Sequence, residues 1–532
     1  MSLQKGGKYG IIDIEKIKGR IKKMSRYVSG ENRNQISMEP LCLDDMIGEE
    51  NVVRIIELIV EKMNIGRLGF KYSEVKETGR PPYNPEAMFK LYSYSYFNGI
   101  RSSRKIEREC YRNIEVMWLI EELKPDHKTI ANFRRDNKQA IKAAFRQFTM
   151  ICDELGLISK EIVAVDGSKF RASNGRMKYY SKGKVEKNIA HYSEAAEKYM
   201  VLLEQSDSEE NENQPNQYTR AELKEKLEKI QKRIVELEEI QKQVEAEGTL
   251  YLSDPDAKLM KVSDGGNDIS HNVQIAVEEK SHFIVAADVT SDAVDYGQLH
   301  NISSQAKENL GVDELTAIGD KGYYSGEEFK KCKESGIKII NPKPDRGETQ
   351  SGGYTKSYFK YDKEKDLYIC PLGQEVKLPA KRKSKSKDKR YYCKSCVDCP
   401  SKELCTPKTK YRSVTRFEFD DYADEVDDFT RENKELYSKR KCLVEHPFGT
   451  VKRALGFTYF LTRGTENVRT ESLLHFLAYN FKRLINLMET PLRLAEALRV
   501  RKIKMLVVHT FSRHFSQTFI LKQYSADLLA VA

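Results

Sequence analysis

The chain has 532 residues, enough for two or three domains that each bury a core. Charged residues make up 32% of it, and no apolar run reaches the ~18 residues of a membrane span, so none is expected. A formal net charge of +11 favours nucleic acid or another anionic surface as partner, against the plainer reading of a soluble basic protein.

Residues 1–40 are polar and basic and read as a loose arm; Met1–Lys8 lack the apolar core of a signal peptide, so a cytoplasmic protein is expected. Residues 41–155 read as a helical domain. Val52, Val53, Ile55, Ile56, Leu58, Ile59 and Met63 recur at helical spacing, and Pro85 opens a second helix. Asp126 or His127 precedes a third, Thr129–Arg135, from which Arg134 and Arg135 project. With Arg101, Arg104, Lys105, Arg108, Arg112 and Lys138 they form either a DNA-binding face or solvated helix surfaces.

Residues 156–490 read as an α/β domain. Ile162–Val165 is a short buried strand; Val273–Val277 and Phe283–Val289 form a hairpin pair; Leu315–Gly319 and Ile337–Ile340 are further strands around a helix at Ser325–Ser335. His271 and Asn272 open the first strand of the hairpin, where a polar strand edge is the plainer reading and proximity to substrate the other. Two insertions interrupt this core. In residues 185–247 a capping box, Thr219 to Glu222, precedes Leu223, Leu227, Ile230, Ile234, Leu237 and Val244 at alternating four- and three-residue spacing. A helical hairpin is the simplest structure, with Gln205–Asn216 as its loop, and intermolecular pairing the alternative. Residues 347–416 carry the basic stretch Lys381–Arg390, a phosphate-contacting or merely solubilising loop, and five of the ten cysteines. Cys370, Cys396, Cys399 and Cys405 suit tetrahedral zinc, with Cys393 a competing ligand; reduced thiols are the alternative. Residues 491–532 are a C-terminal tail.

Three acids stand in glycine- or proline-marked motifs: Asp166 in Val-Asp-Gly-Ser-Lys, Asp320 in Gly-Asp-Lys-Gly-Tyr-Tyr, and Glu445 in Val-Glu-His-Pro-Phe-Gly-Thr-Val-Lys-Arg. An acid at a strand end is held by the strand, and a following glycine keeps the turn uncrowded. Mg²⁺ or Mn²⁺ needs only a few such oxygens, and an ion pair about 3.5–4 Å apart binds both the attacking and the leaving oxygen of a phosphodiester displacement. Pro447 suggests that Glu445 lies at a helix start or kink, since proline disrupts a helix interior. His446 reads as a packing or DNA-backbone residue rather than a metal ligand.

These motifs, with Pro85-Glu-Ala-Met and Thr129-Ile-Ala-Asn-Phe-Arg-Arg, resemble DDE transposases of bacterial insertion sequences, in the insertion-sequence-four-like superfamily and nearest to family eleven-eighty-two. The resemblance spans roughly residues 41–490. It implies a ribonuclease-H-like mixed-sheet core behind an all-helical DNA-binding domain. Asp166, Asp320 and Glu445 would be the catalytic acids, holding two Mg²⁺ or Mn²⁺ ions. Lys452 fits the family's lysine as a phosphate contact; Tyr437 and Arg440 have the right mutual spacing but sit one residue early for its tyrosine and arginine. Double-stranded DNA, both element ends and target, would be the partner of a homodimer in a nucleoid-associated setting. The implied activity is metal-dependent cleavage and strand transfer. A transposase-derived DNA-binding protein without catalysis, or a nuclease without strand transfer, are the alternatives.

Overall fold

Local side-chain caps start the helices of the N-terminal region. In this computed structural model, which describes residues 42–73, 81–175, 179–208, 219–262, 265–344, 353–379 and 388–499, the Asn51 carboxamide accepts the Val53 amide at 2.9 Å to open α1 (Val52–Met63). Asn84 caps α2 (Pro85–Phe97), with Pro85 in the first turn where its missing N–H costs nothing. After α3 (Ser103–Arg112) and α4 (Ile114–Leu119), Asp126 accepts the Thr129 amide at 2.8 Å and starts α5 (His127–Asp136), which leads into α6 (Lys138–Glu154). The arm 1–40, residues 381–387 of the basic stretch, residues 209–216 of the hairpin loop and the tail beyond residue 499 lie outside the described residues. Of the residues before α1, 43–46 form a turn.

The sheet is built on β1 (Ile162–Arg171), which is longer than the expected Ile162–Val165: it pairs with a neighbouring strand through Asp166 and Gly167 as far as Arg171, so Asp166 lies in mid-strand and not at a strand end. The predicted hairpin insertion follows it, closed at its base by the antiparallel pair β2 (Tyr179–Tyr180) and β3 (Leu250–Tyr251). Between them run α7 (Lys182–Ser208) and α8 (Arg220–Glu247), packed on each other. The Thr219–Glu222 capping box is present, and Leu223, Leu237 and Val244 of the predicted seam are buried. The seam is therefore used within the chain.

Beyond β4 (Lys258–Lys261) come β5 (Asn267–Glu278), β6 (Ile284–Thr290), α9 (Leu299–Leu310), β7 (Leu315–Ile318), α10 (Gly326–Glu334) and β8 (Ile337–Ile340). β1 pairs antiparallel with β5 and parallel with β7, and β7 pairs parallel with β8. β4 and β6 share the other edge of β5. The sheet is thus mixed, in the order β4-β5-β1-β7-β8 with β6 also on β5. β5 is longer than its apolar run predicts, and it corrects the reading of His271 and Asn272 as a strand edge: both are buried in mid-strand. Hydrogen-bonding partners make that tolerable, since His271 Nε2 lies 3.0 Å from buried Asp254 and Asn272 donates to half-buried Asp295 at 2.8 Å.

The cysteine-bearing insertion holds a three-stranded sheet, β9 (Lys360–Asp362), β10 (Leu367–Ile369) and β11 (Glu375–Val376), and a pair, β12 (Lys389–Tyr392) with β13 (Ser413–Arg416). Phe359, Tyr368, Val376, Tyr391 and Val414 give it a small core of its own. The helices α11 (Asp420–Glu432), α12 (Lys434–Gly449) and α13 (Thr465–Met488) follow, and residues 491–499, expected to be tail, are helical too, with Leu494 buried in the core. α13 packs against α2 and α6 as well as β6, so the N-terminal helices and the sheet share one hydrophobic core.

Pro447 overturns the expectation of a helix start. It lies inside α12, and the chain continues through a π-helical stretch, Thr450–Ala454. Proline offers no N–H to the preceding turn, and a wider turn just beyond it is a known way of absorbing such a fault. Glu445 is accordingly a mid-helix residue.

Candidate active site

Register brings the two aspartates level. Ile318 at the end of β7 lies opposite Ala164 of β1; two residues further along, β1 carries Asp166 and the chain leaving β7 carries Asp320. Asp320 then leaves the sheet as the cap of a short helical turn, its Oδ1 accepting the Gly322 amide at 2.8 Å, while Asn341 donates to its backbone carbonyl at 2.6 Å. Strand alternation points Asp166 and Ser168 to one face of the sheet and Gly167 and Lys169 to the other.

α12 covers the first face. From it Arg440 donates to Asp166 Oδ1 at 2.7 Å and to the Val165 carbonyl at 3.3 Å, and lies 3.8 Å from Asp320 Oδ2. One guanidinium thus joins both carboxylates. Burial pushes the Asp166 carboxyl up to about 6, Arg440 opposes this, and the neighbouring Asp320 charge adds to it. Lys452 donates to Ser168 Oγ at 2.6 Å and to the Lys169 carbonyl at 3.3 Å, which holds its ammonium on the same face of β1. Tyr437 is half-buried on α12 one turn before Lys441.

Glu445 stands apart. Its side chain is 64% exposed and its ionic partner is Lys441, one turn earlier, at 3.9 Å. The Asp166 side chain by contrast is 23% exposed. Among the described residues, no group of three or more His, Cys, Asp or Glu side chains is arranged to hold a metal ion. His446 beside it packs on Tyr479, whose hydroxyl is 3.4 Å from Nδ1.

Under the opposite face lies a polar network that the sequence reading missed. Asp295 Oδ1 accepts Asn272 and Gln274 at 2.8 Å each and Lys169 at 3.2 Å; the Tyr323 hydroxyl donates to Gln274. A Cβ at position 167 would collide with Asp295 and Gln274, so the glycine beside Asp166 answers a close approach within the strand rather than a turn. The available signal was the polar set Asn272 and Gln274 alternating along an otherwise apolar strand.

The helical region contributes cations in two ways. Arg134 turns inward to donate to the Tyr96 hydroxyl at 2.6 Å; Arg135 stays exposed and pairs with Asp136 at 2.7 Å. Far along the chain, Cys370, Cys393, Cys396, Cys399 and Cys405 line one cavity of about 20 Å³. The Gln374 amide donates to Cys370 Sγ at 3.2 Å. Burial and the adjacent Cys396 push the Cys393 thiol up to about 12.

Residues 41–136 match a family model described as a transposase domain, and residues 369–485 match one described as a transposase DDE domain. Together the matches support a DDE transposase. The first transposase segment contains Arg134 and Arg135; the second contains Tyr437, Arg440, Glu445, Lys452 and all five clustered cysteines. Asp166 and Asp320 fall outside both. No curated protein matches the chain. Among solved structures, a piggyBac transposase synaptic complex with hairpin DNA aligns over 85% of this chain and 81% of that one, at 8% identity and a TM-score of 0.26, too low to bear on the fold.

Proposed function

We propose that the chain is a DNA transposase with a ribonuclease-H-like core, cutting element ends and joining them to target DNA by direct displacement at phosphorus. One observation carries this reading: Asp166 within β1 and Asp320 just past the end of the parallel strand β7 are joined by one arginine from a helix within the DDE-matched segment. The strand order supports the fold assignment, with β6, β5, β1, β7 and β8 in sequence across the sheet and only the first three antiparallel.

The donor chemistry fits a hard divalent cation. Two carboxylates gathered around one guanidinium are oxygen donors of the kind Mg²⁺ and Mn²⁺ take, and Arg440 holds the place of the positive charge between them. Asp166 and Asp320 would hold Mg²⁺ or Mn²⁺, with Glu445 joining them on the strength of its motif. When bound, a pair of such ions binds the attacking and leaving oxygens of the displacement. Asp166 must be ionised for this, and Arg440 favours that form against burial. Lys452 presents its ammonium on the Asp166 face and neutralises a phosphate oxygen. The cysteine spacing carries the zinc proposal, with Cys370, Cys396, Cys399 and Cys405 as the set and Cys393 as the spare thiol: all five line one cavity, though among the described residues their thiols are not gathered into a ligand group. Dimerisation on paired DNA ends belongs to the same reading.

The exposed, Lys441-paired Glu445 favours a second reading, a transposase-derived protein that binds DNA without cutting it. Labelled element-end duplex incubated with Mg²⁺ or Mn²⁺ separates the two. Cut and joined products support the transposase, cutting without joining a nuclease, and binding alone the derived protein. Metal analysis of the purified protein tests zinc, and a preparation with none ends that part.

A further inference from the structure

Away from the aspartates, α5 and the loop before α13 enclose a cavity of about 400 Å³. Arg134, Arg135 and Arg463 line it, with Ser173, Thr462 and Asn467, and none of its lining residues is acidic. Its loop wall is fixed from beneath: buried Glu471 accepts the Leu461 amide at 3.0 Å, the Thr462 amide at 2.9 Å and the Thr462 hydroxyl at 2.6 Å. The opposite wall is fixed by Arg134, which spends one of its five N–H donors on Tyr96. Three guanidiniums, hydroxyls and a carboxamide in a cavity without a carboxylate suit a phosphate diester, which arginine grips with paired N–H groups.

We propose that this cavity binds a backbone phosphate of the DNA duplex whose scission the aspartates serve. The inference rests on the DNA reading above and adds a second anchoring point to it. Ser173 follows Asp166 by seven residues, a span of at most about 25 Å of extended chain. That is less than one duplex turn of about 34 Å, so a duplex with a reacting linkage at Asp166 carries other phosphates within reach of the cavity. Arg135 would exchange its exposed contact with Asp136 for the phosphate.

The test uses the full chain and labelled duplex DNA with chelator present, so that no cutting occurs, and follows fluorescence anisotropy across a salt series. Arg135→Gln and Arg463→Gln alter exposed side chains, so their melting temperatures should equal that of the parent. Each is expected to weaken binding to the same extent for all DNA sequences and to flatten the log–log salt slope by about one unit. Ser173→Glu, which sets a negative charge in the cavity, should weaken binding in the same assay. If the parent binds duplex DNA and all three variants match it, the cavity is not a DNA contact. If the variants lose inorganic phosphate by calorimetry but keep parental DNA affinity, it is a free-anion site and the proposal fails. A parent that binds no duplex at all instead overturns the transposase reading itself.

Discussion

The aspartate pair and Glu445 are fixed by different kinds of structure. Asp166 is carried by β1 and Asp320 follows two residues after the parallel strand β7, so backbone pairing just before them brings both to the same end of the sheet. Glu445 rides a helix that carries proline two residues on and a π-helical stretch just beyond, and its side chain faces solvent. A strand-borne ligand inherits its position from the sheet. A helix-borne one depends on the rotation of the helix, which a single change of turn width alters by tens of degrees. The acid site is rigid on one side and adjustable on the other.

The sharpest way to break that contrast is substitution of the acids. Asp166→Asn and Asp320→Asn should each lower cutting by at least about 100-fold while DNA affinity, read by anisotropy, stays within a small factor. Glu445→Gln should match them if the helix delivers its acid during reaction. Cutting at the parental rate in that variant would leave a site of two aspartates alone. Gly167→Ala probes the rigid side: the added methyl meets Asp295 and Gln274, and a loss of about 1–3 kcal/mol in chemical denaturation is expected. Parental stability would mean that the Asp295 network yields easily.

Titration gives a smaller effect with a definite sign. The folded chain holds the Asp166 proton up to about 6, above the ordinary 3.8, so between those values it binds a proton that the unfolded chain has lost. Stability therefore falls as pH rises through that window. Arg440→Gln removes the opposing charge and should carry the upper limit of the window higher, whereas Asp166→Asn should abolish this component. Denaturation midpoints measured from pH 3.5 to 8, a range of about four units chosen around the carboxylate values, read it out. The smallest expected change is remote from the site: Thr219→Ala removes a capping box and should cost α8 about 1 kcal/mol, visible as faster amide exchange in the hairpin with cutting unchanged.

Although Asp166-Gly167 read as the end of β1 and the strand continues to Arg171, much of the strand framework was legible from its β-branched runs. The same holds for the capped helices, where Asp126 and Thr219 sit one turn before the residues they cap. The interior of the Asp295 network was not legible, because His271, Asn272 and Gln274 look like surface residues until their buried partners are known. Pro447 misled in the other direction: its local rule is sound, but the fault is taken up by the π-helical residues after it rather than by ending α12. Arg440 stands one residue from where its motif would have it, yet it is Arg440 that reaches both aspartates. Side-chain length and helix rotation tolerate such offsets, and sequence spacing does not record them.

The placement of α13 has a consequence for synthesis. This late helix supplies part of the apolar surface on which α2 and α6 rest, hundreds of residues earlier in the chain. During translation the first helices emerge without the partner that buries them and must wait for nearly the whole polypeptide to leave the ribosome. Such a chain should lean on holding chaperones while it is made, and fragments ending before residue 465 should aggregate rather than fold.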